Sequence, residues 1–214
     1  MLYTSQNHLD ALAWLNSTKN IKTLTNLQVQ KFLYFYEMFQ KVSDKDYTLD
    51  SLKAYVNGPV FSKVYGDMVH NETEFINELE KIDPKHIDCE NAEESLFLIE
   101  SMTDTELSEL THVFDMWKSK RDKIDNGIKQ IPIYEGDITE KDLDILSQLS
   151  FSRPEEFKKY HVIVMQDKRF VVSKEDYSSL TEEHYNTMEV LSNNKNLLNP
   201  VYIKIEEDGG LLVD

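Results

Sequence analysis

The sequence predicts an α+β fold, with residues 1–150 forming a mostly helical region around one buried helix and residues 151–214 a small antiparallel β-sheet with one helix. Three observations lead there. Apolar residues recur at helical spacing through most of the first region, and short runs rich in valine and isoleucine replace them after residue 160. Between Leu27 and Phe39 every position except Gln28, Gln30, Lys31 and Glu37 is apolar or aromatic. A helix that is greasy on nearly every side is buried on nearly every side.

That central helix is predicted over residues 25–41. Thr25 followed by Gln28 is the pattern in which the threonine side chain caps the backbone and the amide reaches back, and Leu24 with Val29 supplies a hydrophobic staple. Before it, Leu9, Leu12, Ala13 and Asn16 fall on one face of a short first helix, widened by Ala11, Trp14 and Leu15. After it, Ser43-Asp44-Lys45-Asp46 breaks the pattern, and Leu49 to Val56 reads either as a short strand or as irregular chain. In Asn57-Gly58-Pro59, glycine tolerates a sharp entry and proline suits the first position of a helix carrying Val60, Val64 and Met68. Asn71 with Glu74 signals a further start, with Phe75, Ile76 and Leu79 facing inward.

A loop around Pro84 is expected from Lys81 to Ala92, then a short helix from Glu93 to Glu100. Thr103 and Glu106 form the next capping box, opening one helix that carries Leu107, Leu110, Phe114 and Trp117 and ends in Lys118, Lys120, Arg121 and Lys123. Cations at a helix C-terminus are favoured by the macrodipole, and the same run could touch an anionic ligand. Asn126 to Asp137 reads as a connector, Thr139 caps a helix carrying Leu143, Leu146 and Leu149, and Ser150 to Lys159 reads as a second connector. Strands are expected at His161 to Met165 and Arg169 to Val172. Thr181 caps a helix with Tyr185, Met188 and Leu191, and strands at Val201 to Ile205 and Leu211 to Val213 flank a Gly209-Gly210 turn.

Composition narrows the function classes. With 214 residues, 40% of them hydrophobic, the chain buries enough surface to fold without staples. Cys89 is its one cysteine, so no internal disulfide forms and a reducing cytoplasm is the expected compartment. No apolar run reaches membrane-spanning length, and Met1 to Asp10 lacks the pattern of a signal peptide. A formal charge of −16 disfavours direct nucleic-acid binding and favours basic protein partners. Its densest stretch, from Glu72 to Glu109, reads either as a solvated surface or as a docking face for such a partner.

The search for chemistry is mostly negative. There is no phosphate-cradling glycine loop, dinucleotide fingerprint, nucleophile elbow or pair of histidines at metal spacing. His86-Ile87-Asp88-Cys89 could contribute metal ligands, but a structural zinc wants four and there is no second cluster, and His112 reads as a packed or hydrogen-bonded histidine before it reads as a base. Carboxylate pairs are too common here to mark an acid/base couple. The expectation is a protein that is not an enzyme and carries neither cofactor nor metal.

Two linked motifs change the picture. Leu24-Thr25-Asn26-Leu27-Gln28-Val29-Gln30-Lys31-Phe32-Leu33-Tyr34-Phe35 is followed by Ala54-Tyr55-Val56-Asn57-Gly58-Pro59-Val60 and by Val64-Tyr65. Together they resemble the Panacea domain, the family of SocA-like antitoxins and phage-associated proteins, in which a helix reading roughly L-T-x-L-K-L-Q-K-L-L-Y-Y precedes A-W-x-x-G-P-V and a V-Y pair. Leu110-Thr111-His112 and Trp117 resemble its later T-H and tryptophan element. Here Gln28 stands for the usual lysine and Tyr55 for the usual tryptophan. The resemblance covers residues 5–125 or so and implies a mostly helical domain that neutralises a partner toxin by direct binding, in some members by handing it to a protease.

Among the motif residues, Leu27, Phe32, Leu33 and Phe35 are most simply core. Lys31 and Tyr34 carry polar tips, which either satisfy backbone groups of the tight entry shaped by Asn57, Gly58 and Pro59 or line a contact patch with them and Tyr65. Glu72, Glu74 and Glu78 are the acidic candidates for the same partner. The alternative is an acidic decoy of phage or mobile-element origin that imitates nucleic acid, and a hydrolase is the third reading.

Overall fold

The computed structural model describes residues 1–151 and 159–214. The chain divides into two compact units. The first takes Met1–Leu96 and the chain from Asp104 through the helix ending at Phe151, and the second takes Phe97–Thr103 and the strand-rich C-terminal part.

In the first unit α1 (Gln6–Thr18) is capped by Ser5 and leads through a single 3₁₀ turn to α2 (Asn26–Val42). The capping box is formed: the Gln28 N–H donates to Thr25 Oγ1 at 3.1 Å, and the Thr25 N–H donates to Gln28 Oε1 at 3.0 Å. Phe32, Leu33, Tyr34, Phe35 and Met38 are completely buried, as the all-round apolar pattern requires. Trp14 of α1 stacks on Phe32, with ring centroids 6.0 Å apart, and Phe32 stacks on Tyr36 at 6.3 Å.

Leu49 to Val56 resolves as a strand, β1 (Leu52–Tyr55), which pairs antiparallel with β2 (Gly58–Phe61) across a Val56-Asn57 turn. The sequence pattern predicts a helix start at Pro59. The helix starts instead at Ser62, in α3 (Ser62–His70), because the Pro59 backbone is spent opposite Ala54 in the ladder. Proline is tolerated in that edge strand. Gln30 of α2 holds the hairpin from below, its Oε1 accepting the Phe61 N–H at 2.9 Å.

α4 (Glu72–Leu79) follows, and Asn71 does not cap it with its side chain; the Asn71 amide donates to Asp67 instead, at 3.0 Å. Asp67, fully buried, also accepts the N–H groups of Tyr3 and Thr4 and the Thr4 hydroxyl. Burial pushes its carboxyl upward, but these hydrogen bonds outweigh burial and hold it below the ordinary 3.8.

α5 (Cys89–Glu100) begins one turn earlier than its apolar residues suggest. The single helix expected from Thr103 to Lys123 is three: α6 (Asp104–His112), α7 (Asp115–Lys118) and α8 (Arg121–Asp125). The break has a cause 27 residues downstream, where the buried carboxylate of Asp142 accepts the Asp115 N–H at 2.6 Å and the Met116 N–H at 3.1 Å. Phe114 turns extended to present those donors. The expected connector after Asn126 supplies a third strand, β3 (Ile131–Pro132), on the free side of β1. Thr139 then caps α9 (Glu140–Phe151), its Oγ1 accepting the Asp142 N–H at 3.2 Å. The second expected connector therefore begins later than Ser150, and its residues 152–158 lie outside the described residues.

In the second unit β4 (Tyr160–Met165) and β5 (Lys168–Ser173) form a hairpin. A short α10 (Lys174–Tyr177) and α11 (Glu182–Ser192) then carry the chain to β6 (Val201–Ile205), and β7 (Leu211–Val213) closes the order β4-β5-β6-β7. The sheet is mixed rather than wholly antiparallel: β6 runs parallel to β5, because the intervening helices return the chain to the start of the sheet. Phe170, Val172, Met188, Val201 and Ile203 form its core.

Candidate functional site

The two motifs meet where α2 passes beneath the β1–β2 hairpin. The Lys31 side chain is 1% exposed and its Nζ donates to Pro59 O at 3.2 Å. Gly58 lets it arrive there, since a Cβ on Gly58 would lie 2.3 Å from Lys31 Nζ and 2.2 Å from Thr111 Oγ1. Gly58 also has φ +100°, a conformation that suits glycine. Burial in these surroundings brings the Lys31 amine from the ordinary 10.5 down to about 7.

The later element arrives at the same place. Thr111 is buried under Gly58, and the neighbouring His112 ring stacks on Trp117 with centroids 3.7 Å apart. Trp117 Nε1 donates to Tyr55 O at 2.8 Å, tying α7 to β1. The His112 imidazole is held below its ordinary 6.5, first by burial and then by the Lys31 charge, with a hydrogen bond to the Val56 backbone working the other way.

A cavity of about 340 Å³ opens over this arrangement. Leu27, Gln30 and Lys31 of α2 form its floor, Tyr55, Val56, Asn57 and Val60 of the hairpin one wall, and Tyr65 of α3 an edge. Ile124 of α8 with Ile128, Lys129 and Gln130 completes the lining, together with Asn26. Val56 is 65% exposed and Ile128 53%, so the cavity has an open apolar lip. Such a pocket suits an apolar group carrying few polar atoms.

Of the residues singled out from sequence, Lys31, Asn57 and Tyr65 line the cavity, while Gly58 and Pro59 shape the ground beside it. Tyr34 does not reach it: fully buried, it points its hydroxyl at Met116 Sδ, 3.5 Å away, and packs on Phe35 and Phe114. Glu74 and Glu78 lie elsewhere on α4, paired with the Met1 amine at 2.8 Å and Lys81 at 3.0 Å. Glu72 borders a separate cavity with Ile21, Lys22 and Leu24. The part of the lining from Ile124 to Gln130 escapes the sequence reading, although Ile124 and Ile128, four residues apart in an otherwise polar stretch, are its signal.

Among the described residues, no group of three or more His, Cys, Asp or Glu side chains is placed to hold a metal ion, and no helix is long and apolar enough to cross a membrane. The chain matches no protein-family model, no curated protein and no solved structure.

Proposed function

We propose that the first unit is a protein-binding module of antitoxin type, acting in the cytoplasm, which neutralises a partner toxin by occupying it rather than by chemistry on a substrate. The observation that carries this reading is the convergence of the motif residues: Lys31, Gly58, Thr111, His112 and Trp117 come from four separate elements and meet beside one open, apolar-lipped pocket. Exposed apolar surface beside a pocket, with tyrosines at its edge, is the kind of patch on which binding energy concentrates. The acidic balance of the chain, −16, favours encounter with a basic partner.

The test is co-expression with the product of the adjacent gene. The expected result is relief of that product's growth arrest and co-purification of a complex. Val56→Asp and Ile128→Asp, both on the exposed lip, should abolish the complex while the isolated protein keeps its circular dichroism and unfolding midpoint. A complex that survives both changes refutes binding at this face. A complex that dissolves steeply with salt and ignores both lip changes would instead support the acidic decoy.

A further inference from the structure

The charge around the pocket runs against the charge of the chain. Acids outnumber bases 39 to 23 overall, yet Lys31 and Lys129 line the cavity and, among the described residues, no aspartate or glutamate does. Lys53 adds a third ammonium at the margin, donating to the lining residue Gln130 at 3.4 Å. The acids of α8, Asp122 and Asp125, stand outside the lining, and Asp125 is paired with Arg121 at 3.6 Å.

The Lys31 ammonium is also underspent. When protonated it has three hydrogens to donate and, among the described residues, one acceptor, Pro59 O, although its side chain is almost wholly removed from water. A buried cation with unused donors is costly, and a carboxylate relieves it more completely than a neutral acceptor can. Of the other lining residues, Leu27, Val60, Tyr65 and Ile124 offer apolar surface, and Asn26, Gln30, Asn57 and Gln130 add uncharged polar groups.

We infer that this pocket takes the free carboxylate at the end of a partner polypeptide, with the terminal apolar side chain seated among Leu27, Val60, Tyr65 and Ile124. This rests on the reading of the first unit as a protein-binding module and names the part of the partner that enters. The cavity volume of about 340 Å³ is at the small end for ligand pockets and holds roughly two residues. A chain end supplies one negative charge and an adjoining side chain in that space, whereas a nucleic-acid strand would bring repeated phosphates to a chain of net charge −16.

Proton uptake accompanies such binding. With its amine brought down to about 7, Lys31 is largely neutral at pH 8, and an arriving carboxylate restores the proton. The other groups around Lys31 and His112 are Tyr55, Tyr65, Glu109, Arg121 and Lys129. His112, pushed down, stays neutral at that pH, and Tyr55, pushed up by burial, keeps its proton.

Calorimetric titration of the full chain at pH 8, in phosphate and in Tris, tests this with N-acetyl-leucyl-phenylalanine, its C-terminal amide and 3-phenylpropionate. The acid peptide should bind at least about tenfold more tightly than the amide, with uptake of about one proton. Lys31→Met should bring acid and amide to parity and remove the uptake. Lys129→Gln, at an exposed position of the lining, should reduce the preference without touching the fold. Parity in the unaltered protein, failure of both peptides to bind at millimolar concentration, or phenylpropionate binding as tightly as the acid peptide overturns the inference. Parity alongside co-purification of the adjacent gene's product leaves the broader binding reading standing. Acid preference without any co-purifying product sinks that reading alone.

Discussion

Replacing Lys31 with methionine removes a buried ammonium while keeping an unbranched apolar stem, so its effect on stability isolates one titrating group. The lysine amine moves from the ordinary 10.5 in the unfolded chain to about 7 in the fold. Between those values the unfolded state holds a proton that the folded state lacks, so stability rises with pH across the window. The contribution is fully present above 10.5 and is lost as pH falls toward 7. Each tenfold weakening of proton binding corresponds to about 1.4 kcal/mol, giving a span on the order of 4–5 kcal/mol. From pH 7.5 to 9.5, the unaltered protein should gain roughly 2–3 kcal/mol relative to Lys31→Met.

Both tryptophans, Trp14 and Trp117, lie in the first unit, so urea unfolding followed by tryptophan fluorescence reports on that unit. Taking the difference between the two proteins cancels groups that titrate identically in both. A difference that stays flat over this range, or shrinks as pH rises, would refute the argument that Lys31 is buried as a weakened base.

Other consequences are more local. Phe32→Ala, at a completely buried ring stacked between Trp14 and Tyr36, should cost roughly 3–5 kcal/mol in the same urea assay. Asp142→Ala strands the N–H groups of Asp115, Met116 and Thr139 together, and a loss on the order of 3 kcal/mol is expected, with the protected amides of α7 exchanging faster. Asp67→Asn should flatten acid denaturation: the Asp67 carboxyl is held below 3.8, so its stabilisation is present above that value and disappears as pH falls through the lower folded one. Fluorescence-monitored acid titration of the two proteins checks it, and coincident midpoints would count against the Asp67 network.

How far the fold can be read from sequence depends on the range of the interactions involved. Thr25 with Gln28, and Thr181 ahead of α11, are caps closed within three residues, so their signals are local and the helices begin where expected. The burial of the apolar positions of α2 follows from its composition alone, whereas that of Gln30, Lys31, Glu37 and Gln40 does not. Where distant groups decide, local pattern misleads: Asp142 ends a helix that Leu107, Leu110, Phe114 and Trp117 would otherwise continue, and Ala54 claims Pro59 for a strand. The parallel pairing of β5 with β6 is likewise set by a crossover, not by either strand's residues.

The site divides in the same way. Lys31, Asn57, Gly58, Pro59 and Tyr65 are legible because they belong to two compact motifs. That Lys31 is buried and weakened as a base, while Tyr34 vanishes into the core, depends on which side of α2 meets the hairpin. Ile124, Ile128 and Lys129 enter only when the chain folds back over that hairpin.

The second unit is interrupted in sequence: Phe97–Thr103 belongs with strands that begin only at Tyr160. On the ribosome that short piece emerges several seconds before its companions, at ordinary rates of synthesis. Ile99, completely buried in the finished protein, lies on that early piece. No single cleavage can release both units whole, so shortening the chain from its C-terminal end leaves a fragment of the second unit stranded within the sequence of the first. Any attempt to graft the pocket onto another scaffold has to redesign this inserted heptapeptide as well.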